Sequence, residues 1–200
     1  MSDVTPETLV NLNRYPVLEL AGSKGQDFLA TCREQIRSVG CCALREFVNP
    51  AYIGAMAGEA ARLAPRAYHS TVNGNAYLEP IDPTLESNHP KRRTDTTSLG
   101  AVAYDQIPKA TLIRQLYEWN PLVELLAQIL QKPKLYRYND SLSALNIAVM
   151  KEGDYLRWHF DQTDFVTSIA LQDSEEGGDF EFVPMIRTAR EERYEKVCPT

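Results

Sequence analysis

The stretch 143-SALNIAVMKEGDYLRWHFDQTDFVTSIALQDSEEGGDFEFVP-184 decides the fold. Its first eight residues alternate with period two. Leu145, Ile147 and Val149 fall on one side, and Ala144, Asn146, Ala148 and Met150 on the other, as in a strand with one apolar face. Glu152-Gly153-Asp154 is a turn signal, followed by YLRWHFD, then FVTSIALQ, a second turn over 174–178, and DFEFVP. Gly177 and Gly178 suit a tight turn that needs positive φ. With LYRY at 135–138 as a further short strand, this spacing predicts an antiparallel sandwich or barrel.

Upstream the period is helical. Residues 25–39 place Phe28, Leu29, Cys32, Ile36 and Val39 on one face, and Gly40 ends the run. Asn49 as N-cap and Pro50 at the first helical position start a second helix reaching about Leu63. Further helices are predicted over 109–119 and 121–131, the latter with Leu122, Leu125, Leu126 and Ile129 as its apolar face and Pro133 closing it. Between them, 67–105 reads as a long polar loop of the kind that forms lids and binding loops. Its centre, NHPKRRTDTTSLG, is the most basic stretch; Lys91, Arg92 and Arg93 are either a solvated loop or an anion clamp. Helices first and strands afterwards predict an α+β fold with helices backing one face of the sheet. No repeat or linker interrupts it, so 1–200 is read as a single domain, with 1–133 as helical support and lid loop and 134–200 as the beginning of the sheet core. The charged tail 188–198 is expected to be helical.

Composition narrows the function. The chain has 200 residues, 44% hydrophobic and 24% charged, with a net charge of -6, which disfavours an extended nucleic-acid backbone as ligand. Cys32, Cys41, Cys42 and Cys198 form neither a disulfide framework nor a metal knuckle, so free buried thiols are expected, with GCCALREFV as a buried strand. The start MSDVTPETLV lacks the pattern of a signal peptide and no apolar run reaches membrane-spanning length, so a cytoplasmic location is the expectation.

Residues two apart on a strand share a face, so His159 and Asp161 can address one atom. An imidazole and a carboxylate suit Fe(II) in a facial triad that leaves three positions open. Taken alone, an H-x-D tripeptide arises often by chance, and a lone strand histidine is more often a hydrogen-bonded core or surface residue. Trp158 and Phe160 fall on the opposite face and are assigned to packing.

The succession of strand, Gly turn, H-x-D, strand, E-G-G turn and aromatic strand resembles the first half of the double-stranded β-helix (a jelly-roll, cupin-like core) of the Fe(II)/2-oxoglutarate-dependent oxygenases. Asn146, Gly153, His159, Asp161, Gly177, Gly178 and Phe182 stand where that pattern has such residues. RRTDTTSLGAVAYDQIP, LYRYNDSLSALNIAVM and WHFDQTDFVTSIALQDSEEGGDFEFVPMIR are similar to the bacterial group of free-lysine radical halogenases and their hydroxylase relatives, over roughly 92–187. In the halogenases Gly replaces the triad carboxylate, so Asp161 implies hydroxylation. The resemblance implies Fe(II), 2-oxoglutarate and O2, with succinate and CO2 released as an unactivated C–H of a small molecule, a free amino acid or related metabolite, is hydroxylated. It implies metal ligation by His159 and Asp161. For Asn146 it suggests a hydrogen bond to 2-oxoglutarate or a structural amide; for Arg157, contact with a substrate or cosubstrate carboxylate or a surface ion pair. Gln162 is a candidate substrate contact, and Arg92 and Arg93 are candidate lid residues. Lysine-specific relatives hold the substrate amine with acidic residues, so Gln162 beside Asp161 does not favour lysine itself.

The family also uses a distal histidine and, beyond it, a basic residue for the far carboxylate of 2-oxoglutarate. No histidine follows Asp161; His69 and His89 lie upstream and are expected to face solvent. Arg187, Arg190 and Arg193 come too early for the oxoacid role. The expectation is a chain truncated within the β-helix, or completed by strand exchange in a homodimer. The alternatives are a non-catalytic binding or assembly module with an incomplete triad, and a cupin-like metalloprotein that does not use 2-oxoglutarate.

Overall fold

The computed structural model describes residues 4–188 and 190–197. The chain is α+β, with nine α-helices and β-strands over the described residues, besides three single 3-10 turns: α1 (Pro6–Leu9), α2 (Ser23–Val39), α3 (Pro50–Leu63), β1 (Tyr68–Gly74), β2 (Asp95–Val102), α4 (Leu112–Glu118), α5 (Asn120–Ile129), β3 (Ile147–Val149) and α6 (Tyr194–Val197). They divide into two compact units. One, the helical unit, comprises residues up to 66 and 102–147; the other, the sheet unit, comprises 67–101 and 148 onward.

In the helical unit, α2 keeps its predicted face: Leu29 and Cys32 are buried, while Phe28 and Ile36 are half-buried. Val39 is exposed, because the chain leaves the helix at Gly40, whose φ of 72° is the left-handed cap that lets its N–H reach Ile36 O at 2.9 Å. Asn49 is the N-cap of α3, its Oδ1 accepting from Ala51 N at 3.1 Å with Pro50 beginning the helix. α1 packs on α4, α2 on α5 and α3 on α4. Leu9, Leu29, Met56, Ile107, Leu116 and Leu125 fill the core. Arg33 on α2 donates through Nε and Nη2 to Gln128 O at 3.0 and 2.8 Å, satisfying a carbonyl at the end of α5. GCCALREFV is not a strand: only Val48 bridges to Val10, and Cys41 and Cys42 are half-buried rather than core residues. Cys198 lies outside the described residues.

The sheet has the order β1-β2-β3. β1 and β2 are antiparallel, registered from Tyr68↔Ala101 to Gly74↔Asp95, and they replace the two ends of the predicted polar loop. They escaped the hydrophobic pattern because their pairs are polar. Asn73 Nδ2 donates to Thr96 Oγ1 at 3.3 Å across the strands, and Tyr68 and Val72 are exposed. Of the later predicted strands, Ile147–Val149 is regular, with Ile147 buried and Asn146 and Ala148 outward as the alternation requires. Tyr155 then exchanges both main-chain bonds with Ser98, N to O at 3.0 Å and O to N at 2.8 Å. Segments 135–138, 156–161, 165–172 and 179–184 are irregular, and Phe165, Val166, Ile169, Phe180, Phe182 and Val183 are exposed. A period-two pattern fixes which face is apolar, but a ladder also requires a partner along the edge. The turns are as predicted, with Gly153, Gly177 and Gly178 at φ of 82°, 64° and 68°. Among the described residues the tail is helical only over α6. Among the described residues no helix is long and apolar enough to cross a membrane.

Candidate metal centre

His159 and Asp161 lie in the sheet unit on the irregular segment after the Tyr155 bridge. Phe160 between them donates its N–H to Ala76 O at 2.8 Å, which ties the segment to the chain leaving β1. The Phe160 ring packs against Tyr77 at 5.1 Å between centroids, with the Arg187 guanidinium 4.3 Å from its centre. Phe160 is therefore a packing residue, whereas Trp158 is about half exposed.

With Phe160 held, its neighbours converge. His159 Nε2 is 3.4 Å from Asp161 Oδ1. His159 Nδ1 is 2.8 Å from Arg157 O. A carbonyl can only accept, so Nδ1 carries the hydrogen, and in the neutral ring the lone pair is on Nε2, facing the carboxylate. That is the protonation pattern of a ligating imidazole whose other nitrogen is oriented by a carbonyl. Two donors each about 2.1 Å from a first-row ion and at right angles to one another would be about 3 Å apart, close to the spacing of this pair. Both side chains are open to solvent, His159 at 28% and Asp161 at 54%. The donor set and its geometry thus fit two adjacent positions of a divalent metal. Among the described residues no group of three His, Cys, Asp or Glu side chains is gathered in one place, so the donors they offer here are a pair.

The other sequence candidates are distributed as follows. Arg157 is 8% exposed and makes no ion pair among the described residues: Nη1 donates to Thr97 Oγ1 at 2.9 Å and to Val72 O at 3.3 Å. Gln162 Nε2 donates to Tyr77 O at 3.1 Å, beside the metal pair. Asn146 is exposed, and its Nδ2 reaches Ser143 O at 3.4 Å. Arg92 is half-buried, its Nη1 donating to Leu85 O at 2.8 Å, and Arg93 is exposed. The structure thus brings Arg157 and Gln162 into the segment of His159 and Asp161, one on each side.

His69 is exposed, as expected. His89 differs: it is half-buried, its Nδ1 accepts from Lys91 N at 3.2 Å, and its ring lies 4.5 Å from that of Tyr194. Sequence reasoning missed Asn75, which is 1% exposed and organises the loop after β1. Its Nδ2 donates to Glu79 O and Lys91 O at 2.9 and 2.8 Å, and its Oδ1 accepts from Tyr77 N and Glu79 N at 3.1 and 3.3 Å. The dipeptide Gly74-Asn75 was the available signal, a turn pair at the end of a β-branched run. Comparison with protein-family models, curated proteins and solved structures finds no match to this chain.

Proposed function

We propose that this chain carries part of the site of an Fe(II)/2-oxoglutarate-dependent hydroxylase that acts on a small molecule of the free amino-acid class. The observation behind the reading is the convergence of His159 Nε2 and Asp161 Oδ1 at 3.4 Å, with Nδ1 engaged by Arg157 O. Bound there, ferrous iron with 2-oxoglutarate and O2 would supply the oxidising power to replace an unactivated C–H by C–OH, releasing succinate and CO2. The chain's own groups do the rest. Asp161 contributes the negative charge that a divalent ion requires, and His159 a neutral donor of fixed orientation. Gln162, tied to Tyr77 O, lines the approach next to Asp161. Arg92 and Arg93 are the candidate lid residues over an anionic ligand.

The finer architecture belonging to this reading is a double-stranded β-helix of which 143–184 is the first part. It is supported by the left-handed glycines at both predicted turns and by the Tyr155–Ser98 bridge. Two ligands do not make a facial triad, so the reading requires a third protein donor from outside the described residues, within the same protein or by strand exchange in a homodimer. A cytoplasmic location goes with it. The second reading, a metal-binding or assembly module with an incomplete triad, draws on the absence of a third donor among the described residues.

Anaerobic titration with Mn(II), followed by water-proton relaxation, tests the pair, and succinate release tests the activity. Binding that weakens at least tenfold in Asp161→Asn, together with succinate formation dependent on iron and 2-oxoglutarate, is expected. Metal binding without 2-oxoglutarate turnover supports the module, and binding unchanged in Asp161→Asn refutes the pair.

A further inference from the structure

The guanidinium of Arg157 is a buried charge two residues before His159, with no opposite charge against it among the described residues. It is 8% exposed, and its Nε is buried without a hydrogen-bond partner among them. Such a group costs stability unless its placement does something else. Its neighbours show what the placement achieves. Val72 and Thr97 face each other across the β1–β2 register, and Arg157 Nη1 donates to both, to Val72 O at 3.3 Å and Thr97 Oγ1 at 2.9 Å. The same hydroxyl accepts the Arg157 main-chain N–H at 3.3 Å. The third wall is Gly74, where an added Cβ would lie 2.9 Å from Arg157 Nη2 and 3.4 Å from Cζ. The hairpin therefore forms a cradle for one arginine, whose guanidinium end would have to shift if residue 74 carried a side chain.

What the cradle holds in place is a carbonyl. Arg157 O accepts the Nδ1–H of His159 at 2.8 Å. Beyond the metal pair the segment is tied again, by Phe160 N to Ala76 O at 2.8 Å and by Gln162 Nε2 to Tyr77 O at 3.1 Å. His159 thus sits between two attachments to one continuous piece of chain, 72–77. The downstream attachment fixes Phe160 and leaves the imidazole free to rotate. The upstream one fixes the acceptor that sets the ring's tautomer and direction.

We propose that Arg157 is the positioning residue of the metal pair: docked in the Val72–Gly74–Thr97 cradle, it holds the carbonyl that keeps His159 in the Nδ1–H form with Nε2 presented toward Asp161. Arg157 acts through its own backbone and touches no ligand. The proposal rests on the metal-pair reading for its consequence, and its structural half can be measured without metal.

Three substitutions approach the cradle from different sides. Arg157→Met removes the guanidinium and keeps the stem, Thr97→Val removes the shared hydroxyl, and Gly74→Ala crowds the guanidinium without deleting any polar group. In each, the 15N shifts of the His159 ring in the metal-free 200-residue chain report the tautomer, and Mn(II)-induced relaxation reports affinity. The expected result is a mixed or Nε2–H tautomer in all three variants and Mn(II) binding weakened about tenfold, the scale of losing an orienting partner. Gly74→Ala serves as the control against misfolding, since it leaves every hydrogen-bonding group in place. Retention of the Nδ1–H tautomer in folded Arg157→Met and Gly74→Ala overturns the proposal. If wild type binds no Mn(II) while the tautomer still shifts in the variants, the metal reading has failed and the positioning role stands.

Discussion

Replacing Asn75 should loosen the loop that follows β1 more than any other single change in the sheet unit. The side chain is 1% exposed and makes four hydrogen bonds, all to main-chain groups: Tyr77 N, Glu79 N, Glu79 O and Lys91 O. At about 1 kcal/mol net for each bond, Asn75→Ala removes roughly 4 kcal/mol. Glu79 is exposed and Lys91 half-buried, so water can reclaim part of the orphaned groups there, and a loss of about 2–3 kcal/mol is expected. Asn75→Asp separates shape from hydrogen bonding. It keeps both acceptor bonds but sets an oxygen against the carbonyls of Glu79 and Lys91, so it should destabilise about as much as Ala despite near-identical volume. Native-state hydrogen exchange reads the effect where it occurs. The amides of Tyr77 and Glu79 should exchange roughly 30- to 150-fold faster in either variant, the equivalent of 2–3 kcal/mol of local opening. Exchange within threefold of wild type at both amides would show that Asn75 does not hold the loop, and the reasoning would be wrong.

Two further outcomes follow from the ionisable groups of the helical unit. Burial, with the Cys42 thiol as hydrogen-bond partner, pushes the Cys32 thiol up to about 12, so at pH 8 its alkylation by iodoacetamide should be slower than in the unfolded chain by about a thousandfold; equal rates would contradict its placement. The Glu7 carboxyl is held below its ordinary value, first by its own backbone N–H and then by Thr5, against a smaller opposing effect of burial, with Trp119 adding to the lowering. Because the folded value is the lower one, this stabilisation is present above the ordinary carboxylate range and is lost as pH falls through the folded value. Glu7→Gln should therefore flatten the acid side of a Tm-against-pH curve, and an unchanged slope would remove Glu7 from acid unfolding.

What could be read from the sequence divides along a physical line. α2, α3 and the left-handed Gly40 and Gly153 were legible because local rules fix them: apolar spacing, Asn49 before Pro50, glycine where φ is positive. His159 and Asp161 were expected to share a strand face; residues 156–161 are irregular, and the 3.4 Å between Nε2 and Oδ1 arises on a segment held by Phe160 N to Ala76 O. β1 and β2 were not, since Thr71, Asn73, Thr96 and Ser98 pair through polar groups and produce no apolar alternation. The role of Arg157 was equally hidden. Its partners Val72 and Thr97 lie 85 and 60 residues earlier in the chain, and one of them contributes a main-chain oxygen that any residue type would offer. Spacing can bring two side chains to one face, but it does not indicate which remote carbonyl will accept a hydrogen bond.

The two units are stabilised by different forces, and this bears on the site. Among the buried apolar side chains of the described residues, Tyr77 alone belongs to the sheet unit, whereas the buried polar residues Asn75 and Arg157 both do. Apolar burial is strong and nearly without direction, so the helical unit can repack around a changed side chain at modest cost. Hydrogen bonds contribute little net free energy each but fix angles, and a metal pair needs its donors held to within about 0.5 Å. The bonds around Thr97, Asn75, Ala76 and Tyr77 therefore give the sheet unit its geometry as well as part of its stability. A ligand that binds only the folded form adds RT ln(1 + [L]/Kd) of stability. Metal bound at His159 and Asp161 would thus stabilise the unit with the smaller buried apolar core, coupling the order of the 75–94 loop to occupancy of the site it adjoins.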